Sequence, residues 1–416
     1  MVRSRSSERN TEKIKIKMNY QVVILAGGES SRFTPFNNLH KSFFKLGGKS
    51  IIQRTLSDIL DNLEMEVILV LGSKNFEKEK SIIESYGYGK KITCVKQNES
   101  LGQGNAILSA KDNVNGDFFV INAQQFNFSK ISDNFVKTFE SKKFEALVGS
   151  QKTSEPWKYG ILYKNENNVI GVVEKPKKGT EPSATRIVGV YLFSKVFLGE
   201  LENTKQSEYS LEKALDLTSK KSRLGDVTIS DAVPSLKYPW DLLKIKDIFL
   251  KDLRGIDKSA EVAKTATIKG EVYIGKNTKV CDYALIEGPV YIGENVVVGS
   301  YSQVRGGSVL EEGSVLQRYV DVKNSIIGEQ TSIHSGFIGD SVVGKNVKIG
   351  AGFISANKRF DRRNISVEVK NKKVDSGING LGVLVGDESN IGIRVSTMPG
   401  TLIKYNSKIF PGEIVK

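Results

Sequence analysis

The first half of the chain alternates apolar runs with amphipathic segments. Four short β-rich runs predict buried strands, at residues 20–26, 66–72, 91–97 and 117–123. Segments between them carry apolar residues at helical spacing and predict helices, at residues 50–63, 77–87 and 104–114. Further strand-like runs begin with ALVGSQ at residue 146 and continue to about residue 232. Strands that alternate with helices at this pitch predict a doubly wound α/β domain.

After residue 255 an aliphatic residue recurs at every sixth position. The unbroken series is Ile256, Val262, Ile268, Ile274, Val280, Ile286, Ile292, Val298, Val304, Leu310, Leu316 and Val322. The phase then slips, through Ile327, Ile333, Ile338, Val343, Ile349 and Ile354, and a last register runs through Val385, Ile391, Thr397, Ile403, Ile409 and Val415. A period of six fits neither a helix nor a simple alternation. It is typical of a parallel β-helix in which each hexapeptide forms one side of a triangular coil.

The two patterns divide the 416 residues into four parts: an extension at 1–17, an α/β domain at 18–238, a connecting helix at 239–255 and a β-helix at 256–416. The extension holds six basic residues against two acids, and we expect a disordered, solvated tail. Elsewhere basic residues alternate with acids, although the net charge of the chain is +14. We therefore expect no nucleic-acid partner.

The composition limits the cellular compartments and the kinds of metal or disulfide site that the sequence allows. No run approaches the roughly 18 apolar residues that a membrane-spanning helix needs, and the first 17 residues lack the apolar segment of a signal peptide. Two cysteines in this length exclude a disulfide framework and favour a reducing compartment. With only His40 and His334, a histidine-rich metal site is excluded. We therefore expect a cytoplasmic protein with no membrane partner.

A glycine-rich loop follows the first predicted strand. The sequence LAGGESSRF places Gly27 and Gly28 at the end of that strand and Arg32 just beyond, and HKSFF adds Lys41. Glycine lets backbone N–H groups approach a phosphate, while Arg32 offers a planar fork of donors and Lys41 a point charge. By itself the pattern is equally typical of a tight turn with two surface cations.

An α/β domain that opens in this way and precedes a hexapeptide β-helix resembles the sugar-1-phosphate nucleotidylyltransferases. The resemblance covers nearly the whole chain. It is strongest to archaeal two-domain members and to the bifunctional N-acetylglucosamine-1-phosphate uridylyltransferase, which also carries a glucosamine-1-phosphate acetyltransferase β-helix. It implies a Rossmann-like nucleotidylyltransferase domain followed by a left-handed parallel β-helix. It also implies that Gly27, Gly28, Arg32 and Lys41 bind the NTP, with Arg32 and Lys41 acting in catalysis.

Other segments resemble landmarks of the same family, in the same order. Gln97 and the sequence LGQGNAILSAK resemble the part of the chain that surrounds the base, which implies nucleotide binding by Gln97, Gly102 and Gly104. The sequences YGILY and VVEKP resemble the sugar-binding strand pair. That likeness implies that Glu174 and Lys175 face the sugar.

The positions that hold the metal in this family depart from its pattern. The family's reaction joins an NTP to a sugar-1-phosphate and releases pyrophosphate, with Mg²⁺ held by acidic side chains. This chain has Gln124 and Ser235 at the positions of those acids, so we predict no metal ligand there. Loss of a Lewis acid slows such a step by roughly two to four orders of magnitude, so we expect weak or no nucleotidyl transfer. Asp231 and Asp241 are the acids that could substitute.

A second candidate site lies in the predicted β-helix. The sequence IHSGFIGD and the residues after it resemble the acetyltransferase stretch of the bifunctional relatives. His334 matches their general base and Asn357 a sugar-binding residue, whereas Phe337 stands where the family has Tyr. Lys358 and Arg359 follow as candidates to hold a phosphate. The segment GLGVLVGD resembles the region that receives acetyl-coenzyme A, the implied co-substrate. Outside this motif, His334 would read equally as a turn residue.

The sequence leaves two functions open. The first is an enzyme of nucleotide-sugar synthesis that joins an NTP to a sugar-1-phosphate, with UDP-N-acetylglucosamine as the favoured product, and that acetylates an amino-sugar phosphate. The second is a catalytically impaired regulatory paralog that binds nucleotide-sugar. Gln124 and Ser235 favour the second function, whereas His334 and Asn357 favour a surviving acetyltransferase. In both cases we expect a homotrimer, or a hetero-oligomer with an active relative.

Overall fold

The computed structural model describes residues 16–17, 19–142, 144–166, 168–231, 233–251 and 253–416. Apart from 16–17, the predicted extension therefore lies outside the described residues. The described chain forms two compact units. The first comprises Met1–Gly28 and Ile52–Ala232, and the second comprises Glu29–Ile51 and Val233–Lys416, each as far as its residues are described. The segment that follows the glycine-rich loop thus belongs to the second unit.

The first unit is built on a mixed sheet of nine strands. In spatial order its main path is Asn168–Glu174, Gly160–Asn165, Thr185–Phe193, Phe118–Asn122, Gln21–Ala26, Val67–Gly72 and Ile92–Gln97, and Ala146–Lys152 pairs with Thr185–Phe193 and with Leu224–Thr228. The last four strands of the main path are parallel, as a doubly wound sheet requires. Thr185–Phe193 runs antiparallel to its neighbours. The α/β prediction is therefore confirmed, but the rest of the main path is antiparallel, and a hairpin, not a crossover helix, joins Gly160–Asn165 to Asn168–Glu174.

Helices cover this sheet. The α-helices described in the first unit are Ile51–Asn62, Phe76–Ser85, Gln103–Ser109, Phe128–Ser141, Lys195–Asn203 and Ser210–Lys220, and the 3₁₀ turns are Ser73–Asn75, Gly89–Lys91, Lys111–Asn113 and Pro156–Lys158. The first three α-helices confirm the sequence prediction within a few residues. The last three were not predicted. A small parallel pair, Ile16–Lys17 with Leu63–Glu64, completes the described strands of this unit.

The second unit contains three parallel sheets of eight strands each. The first sheet is Gly255–Ile256, Val272–Ile274, Val290–Ile292, Ser308–Leu310, Ile326–Ile327, Val342–Val343, Leu384–Val385 and Leu402–Ile403. The second is Glu261–Val262, Lys279–Val280, Val297–Val298, Val315–Leu316, Ser332–Ile333, Lys348–Ile349, Asn390–Ile391 and Lys408–Ile409. The third is Thr267–Lys269, Leu285–Glu287, Gln303–Arg305, Val320–Lys323, Gly336–Gly339, Phe353–Ser355, Ser396–Thr397 and Ile414–Val415. Every predicted hexapeptide position lies in one of these strands, consistent with the left-handed β-helix.

The strand register explains why the phase of six slips. Ile256 pairs with Ile274, so this coil takes 18 residues, or three hexapeptides. Leu310 pairs with Ile327 after 17 residues, and Ile327 with Val343 after 16. The shorter coils remove one or two corner residues each, while the aliphatic side chains stay stacked in a single core.

One predicted core position is wrong. Ile354 pairs with Phe337 on the outward side of its strand and is 51% exposed. Its neighbours Phe353 and Ser355 face inward and are fully buried instead. Successive side chains of a strand alternate between its faces, and Ser355, six residues after Ile349, takes the inward position that pairs with Thr397 of the next coil.

The remaining elements of the second unit flank the β-helix. The 3₁₀ turn Pro239–Asp241 and the α-helix Leu242–Leu250 form the predicted connecting helix. An antiparallel hairpin of Ser366–Val369 and Lys372–Asp375 is inserted between two coils. The earlier segment contributes the 3₁₀ turn Lys41–Phe43 and the strand pair Lys45–Leu46 with Lys49–Ser50. Within the part of the chain that the structure describes, no helix has the length and apolar character needed to cross a membrane.

Candidate active sites

The glycine-rich loop meets Gln97 at the carboxyl edge of the sheet. A Cβ on Gly27 would stand 2.0 Å from Gln97 Oε1, so a larger residue there would displace the Gln97 side chain. Gln97 is 3% exposed, and its Nε2 donates to Asn105 Oδ1 at 2.9 Å. Gly28, in contrast, has open space where a side chain would be. The structure therefore brings Gly27 and Gln97 together, and their role towards a nucleotide stays a prediction.

Gly102 and Gly104 have a packing reason to be glycine. Gly102 has φ near +98°, and a Cβ there would stand 2.5 Å from Glu208 O. A Cβ on Gly104 would stand 2.3 Å from Ser210 Oγ. Both residues thus allow the helix that begins near them to approach residues 208–210 closely. Their predicted contact with a nucleotide remains a prediction.

A cluster of positive charge surrounds Lys41 in the second unit. The backbone N–H of Lys41 donates to Ser30 Oγ at 2.9 Å, which fixes the start of its 3₁₀ turn. Burial lowers the pKa of Lys41 to about 8, and the positive charges of Arg32 and Lys237 lower it further against an opposing contribution from Asp241. Cations held this close together favour a bound anion. The predicted pair Arg32 and Lys41 is therefore brought together, with Lys237 as a member that the sequence analysis missed.

His40 is a structural residue of the same turn. Its side chain is 7% exposed and caps the turn, with Nδ1 2.7 Å from Ser42 Oγ. Burial, followed by the charge of Lys41, lowers the pKa of His40 well below its ordinary value. A neutral, enclosed imidazole of this kind holds the loop together, which leaves His334 as the candidate catalytic histidine.

Glu174 and Lys175 lie beside a third ionisable residue. Lys175 Nζ is 3.3 Å from Glu174 Oε1 and lies 4.9 Å from the centre of the Tyr209 ring. Burial, together with the charge of Glu174, raises the pKa of Glu212 to about 7. One oxygen of Glu212, Oε2, is buried without a hydrogen-bond partner. The predicted sugar pair is thus joined by Glu212, which the sequence could not indicate because it lies far along the chain.

The acids proposed as substitute metal ligands are engaged or exposed. Asp241 is a capping residue: its Oδ2 accepts backbone N–H bonds from Lys237 at 2.7 Å and from Tyr238 at 2.8 Å. Burial raises the pKa of Asp241, which opposes its ionisation. Asp231 is exposed to solvent.

The residues at the family's metal positions do not fit Mg²⁺. Mg²⁺ prefers several oxygen ligands with carboxylates among them. Gln124 supplies at most one neutral carbonyl oxygen and Ser235 a hydroxyl, and both are half-buried. Among the residues that the structure describes, no three His, Cys, Asp or Glu side chains are grouped to hold a metal ion.

In the β-helix, Asn357 lies next to Phe337 across a glycine. A Cβ on Gly339 would stand 2.6 Å from the Phe337 ring and 2.9 Å from Asn357 Nδ2. Asn357 donates from Nδ2 to Asp340 Oδ2 at 2.5 Å, and Asp340 is 6% exposed. The two predicted residues therefore share one site, with Asp340 as an additional member.

Two cations that the sequence analysis missed lie on the same outward face. Arg305 forms a two-point ion pair with Asp321, at 2.9 and 2.7 Å, and its guanidinium lies 5.9 Å from the centre of the Phe337 ring. Lys323 Nζ is 3.9 Å from Asp340 Oδ2. The strand register aligns Arg305 with Lys323 and Asp321 with Phe337. Coil spacing was the available signal, because residues one coil apart share a face.

The two cations predicted to hold a phosphate follow Asn357 in a segment without strand or helix. Arg359 makes a two-point contact with Asp361, at 2.8 and 2.6 Å. Lys358 is exposed beside it. The role of both residues towards a phosphate stays a prediction.

His334 lies at the corner that precedes Phe337. It is exposed and lines a groove of about 480 Å³ together with Gln317, Arg318 and Tyr319. Tyr319 stacks on Tyr301 of the previous coil, with ring centres 5.5 Å apart. Among the residues that the structure describes, the lining of the groove does not include Asn357. The structure thus places His334 before the strand Gly336–Gly339 and Asn357 after the strand Phe353–Ser355 of the next coil, at opposite ends of one side of the β-helix.

The segment predicted to receive acetyl-coenzyme A forms a rung of the core. Leu381, Val383 and Val385 are fully buried. A Cβ on Gly382 would stand 2.2 Å from Gly339 O, so the segment packs directly on the strand of Phe337. The contact of this segment with acetyl-coenzyme A stays a prediction.

Comparison with known proteins identifies the family. Residues 21–232 match the family model described as Nucleotidyl transferase, and residues 268–375 match the GMPPB C-terminal domain. A bifunctional protein GlmU of Methanococcus maripaludis (strain C7) is 37% identical over 394 residues, which cover 93% of this chain and 92% of that protein. A bifunctional sugar-1-phosphate nucleotidylyltransferase/acetyltransferase of Sulfurisphaera tokodaii is 31% identical over 409 residues, 95% of this chain and 97% of that protein. The chain therefore belongs to the sugar-1-phosphate nucleotidyl transferase family, among the members that carry a C-terminal β-helix.

Proposed function

We propose that the β-helix transfers an acetyl group from acetyl-coenzyme A to the amine of an amino-sugar phosphate. The observation that carries this proposal is the outward face on which Arg305 and Lys323 lie beside Phe337 and Asn357. Two cations next to a flat apolar ring and an amide suit a phosphorylated sugar. The relative from Sulfurisphaera tokodaii carries acetyltransferase in its name, which supports the same reading.

Each residue of the candidate acetyl site has a separate role in such a transfer. The amine nitrogen of the sugar attacks the thioester carbonyl, and its proton passes to the imidazole of His334. The carbon–sulfur bond then breaks, and the departing thiolate takes up that proton to leave as the coenzyme thiol. Arg305 and Lys323 hold the phosphate, and Asn357 orients the sugar. Phe337 offers no hydroxyl to the substrate, so we expect slower turnover than a tyrosine would permit.

We also propose a homotrimer with each acetyl site completed between neighbouring copies. His334 lies at the corner before the strand Gly336–Gly339, and Asn357 follows the strand Phe353–Ser355 of the next coil. The two residues thus lie at opposite ends of one side, so a site that uses both needs a surface that bridges them. A neighbouring β-helix packed along the coil edge provides such a surface. Light scattering that shows a stable monomer would exclude this arrangement.

The acetyltransferase assay uses glucosamine-1-phosphate and galactosamine-1-phosphate as acceptors. We expect release of coenzyme A by the native protein and its loss in His334→Ala, with folding unchanged by circular dichroism. Lys348→Ala is the control, because Lys348 is an exposed residue of a neighbouring strand. Equal activity in native protein and His334→Ala would show that His334 is a turn residue.

We further propose that the chain binds an NTP and a sugar-1-phosphate, with UDP and N-acetylglucosamine as the favoured pair. The cations around Lys41 support phosphate binding, and Glu174 and Lys175 support sugar binding. Turnover is expected to be slow, since Gln124 carries no charge for a metal. Calorimetry with a panel of NTPs, alongside a pyrophosphate-release assay, tests both halves of the proposal. Binding without turnover would favour the regulatory paralog, and absence of binding would exclude both functions for this site.

A further inference from the structure

A lysine of the connecting helix is enclosed in the second unit. Lys246 has no exposed surface, and its ammonium donates to Asp247 Oδ1 and to Asn324 Oδ1, both at 2.7 Å. Burial lowers the pKa of Lys246, although Asp247 opposes the shift. A charged group is rarely enclosed unless its partners are fixed in place. Lys246 therefore ties the connecting helix to the coil that contains Asn324.

The hydrogen bonds continue from Lys246 to the candidate acetyl site. Asn324 Nδ2 donates to Asp340 Oδ1 at 2.6 Å. Asp340 accepts a second bond, at 2.5 Å, on Oδ2 from Asn357 Nδ2. The result is a relay of four side chains, Lys246, Asn324, Asp340 and Asn357, in which each bond joins two consecutive members.

The chemistry of the relay fixes the orientation of both amides. An ammonium can only donate and a carboxylate can only accept. Asn324 must therefore turn its oxygen to Lys246 and its nitrogen to Asp340. Asn357 must then turn its nitrogen to Asp340, which leaves its carbonyl oxygen on the opposite side of the amide. The usual ambiguity of an asparagine side chain is removed at both positions.

Glycines at both ends make room for these bonds. A Cβ on Gly307 would stand 2.6 Å from Asn324 Oδ1 and 3.0 Å from Lys246 Nζ. A Cβ on Gly339 would stand 2.9 Å from Asn357 Nδ2. Any larger residue at either place would displace a member of the relay, so the local backbone is matched to it.

We propose that Lys246 is a positioning residue of the acetyl-acceptor site, and that through Asn324 and Asp340 it makes Asn357 present a carbonyl oxygen to the substrate. The group recognised is a hydrogen-bond donor of the amino-sugar phosphate, its amine or a neighbouring hydroxyl. The proposal rests on the acetyl transfer proposed above. The proposal adds Lys246, which touches no substrate, to the residues that act in acetyl transfer. It also explains why the site would select an acetyl acceptor that has a hydrogen-bond donor facing Asn357.

Acetyl-transfer kinetics provide the first test. Lys246→Met keeps the length of the side chain and removes its charge. We expect the KM for glucosamine-1-phosphate to rise about tenfold, as the loss of one oriented hydrogen bond implies, while the KM for acetyl-coenzyme A stays within about twofold. Lys244→Met is the matched control, because Lys244 is exposed on the same helix. An equal rise in both KM values would mean a general loss of structure and would overturn the proposal.

A second variant, Asn324→Asp, tests the proposal independently of whether Lys246→Met folds. Asn324→Asp keeps an oxygen for Lys246 but replaces the donor that faces Asp340 with a second carboxylate. The relay is then broken at its next bond, with almost no change in volume. We expect the same selective rise in the acceptor KM, and an unchanged value would overturn the proposal.

A readout without turnover separates this inference from the proposed function. In protein labelled with ¹⁵N-asparagine, the side-chain amide signals of Asn357 should move in Lys246→Met and stay in place in Lys244→Met. If native protein acetylates no amino-sugar phosphate, the proposed function fails and the Asn357 signal alone decides the relay. A signal that is unmoved in both Lys246→Met and Asn324→Asp would refute it.

Discussion

Glu212→Gln should stabilise the first unit above neutral pH and leave it unchanged in acid. Glu212 Oε2 is buried without a hydrogen-bond partner. Burial, reinforced by the charge of Glu174, raises the pKa of Glu212 from 4.5 to about 7. Because this pKa is higher in the folded than in the unfolded chain, stability present below about 4.5 is lost as the pH rises to about 7. Glutamine removes the charge and with it this loss.

The size of the effect follows from the shift in pKa. One pKa unit corresponds to about 1.4 kcal/mol, so a shift of this size corresponds to about 3 kcal/mol as an upper limit. Glu212 keeps some contact with solvent, and its own backbone N–H favours the charged form. We therefore expect Glu212→Gln to raise the free energy of unfolding by about 1–2 kcal/mol at pH 8 and by less than about 0.5 kcal/mol at pH 5.

The assay is urea unfolding followed by the fluorescence of Trp157. Trp240 lies in the second unit, so Trp240→Phe is introduced into every protein and leaves Trp157 as the reporter of the first unit. Glu208→Gln is the matched control, because Glu208 is an exposed acid shortly before the same helix. An equal change at both pH values, or a loss of stability at pH 8, would refute the assignment of a buried, unpartnered carboxylate.

Three further predictions follow from the structure. Gln124→Asp combined with Ser235→Asp should raise pyrophosphate release with Mg²⁺ by about tenfold or more, and a native protein that already turns over at roughly 1–10³ s⁻¹ would show that the missing acids are not limiting. Because burial lowers the pKa of Lys41 to about 8, NTP affinity measured by calorimetry should fall as the pH rises from 7 to 9, and a pH-independent affinity would exclude Lys41 as a phosphate ligand. Phe353→Ala should destabilise the β-helix by about 3–5 kcal/mol and Ile354→Ala by less than about 1 kcal/mol in thermal unfolding, and the reverse order would contradict the assigned register.

The β-helix could be predicted from sequence because one physical requirement repeats along it. Each coil needs an aliphatic side chain at the same place on each side, and Val298, Leu316 and Ile333 meet it with complete burial. A period counts residues but does not detect which side of a strand faces inward. At Ser355, six residues after Ile349, the inward position holds a polar residue, so a pattern of aliphatic residues selects Ile354 beside it instead.

Three helices of the first unit escaped prediction for a related reason. Phe128–Ser141 places Phe128, Phe135 and Phe139 on one buried face, at helical spacing. Aromatic residues favour strands by propensity, so the composition of this segment pointed away from a helix although its spacing agreed with one. Packing against the sheet decides between the two, and that information is absent from a local window.

In the candidate sites too, the sequence indicates which residue types are present but not which residues lie together. Motif resemblance predicted a sugar site at Glu174 and Lys175, whereas Glu212 could be added only because the fold brings helix Ser210–Lys220 beside them. Arg305 and Lys323 were likewise invisible as a pair until the register of the coils aligned them. The role of a charged residue that is distant in sequence depends on its burial and its neighbours, and only the folded chain defines these.

The two halves of the nucleotidyl transfer reaction are physically separable in this protein. Burial, reinforced by the neighbouring cations, lowers the pKa of Lys41 to about 8, so the folded protein is destabilised by this charge below pH 8 and recovers stability as the pH rises towards 10.5. An anion bound among these cations would offset that loss, which favours a surviving phosphate site. Gln124, in contrast, cannot supply the negative charge that holds a metal. We therefore expect phosphate binding to persist and turnover to be weak, so affinity and rate must be measured separately to decide between the enzyme and the regulatory paralog.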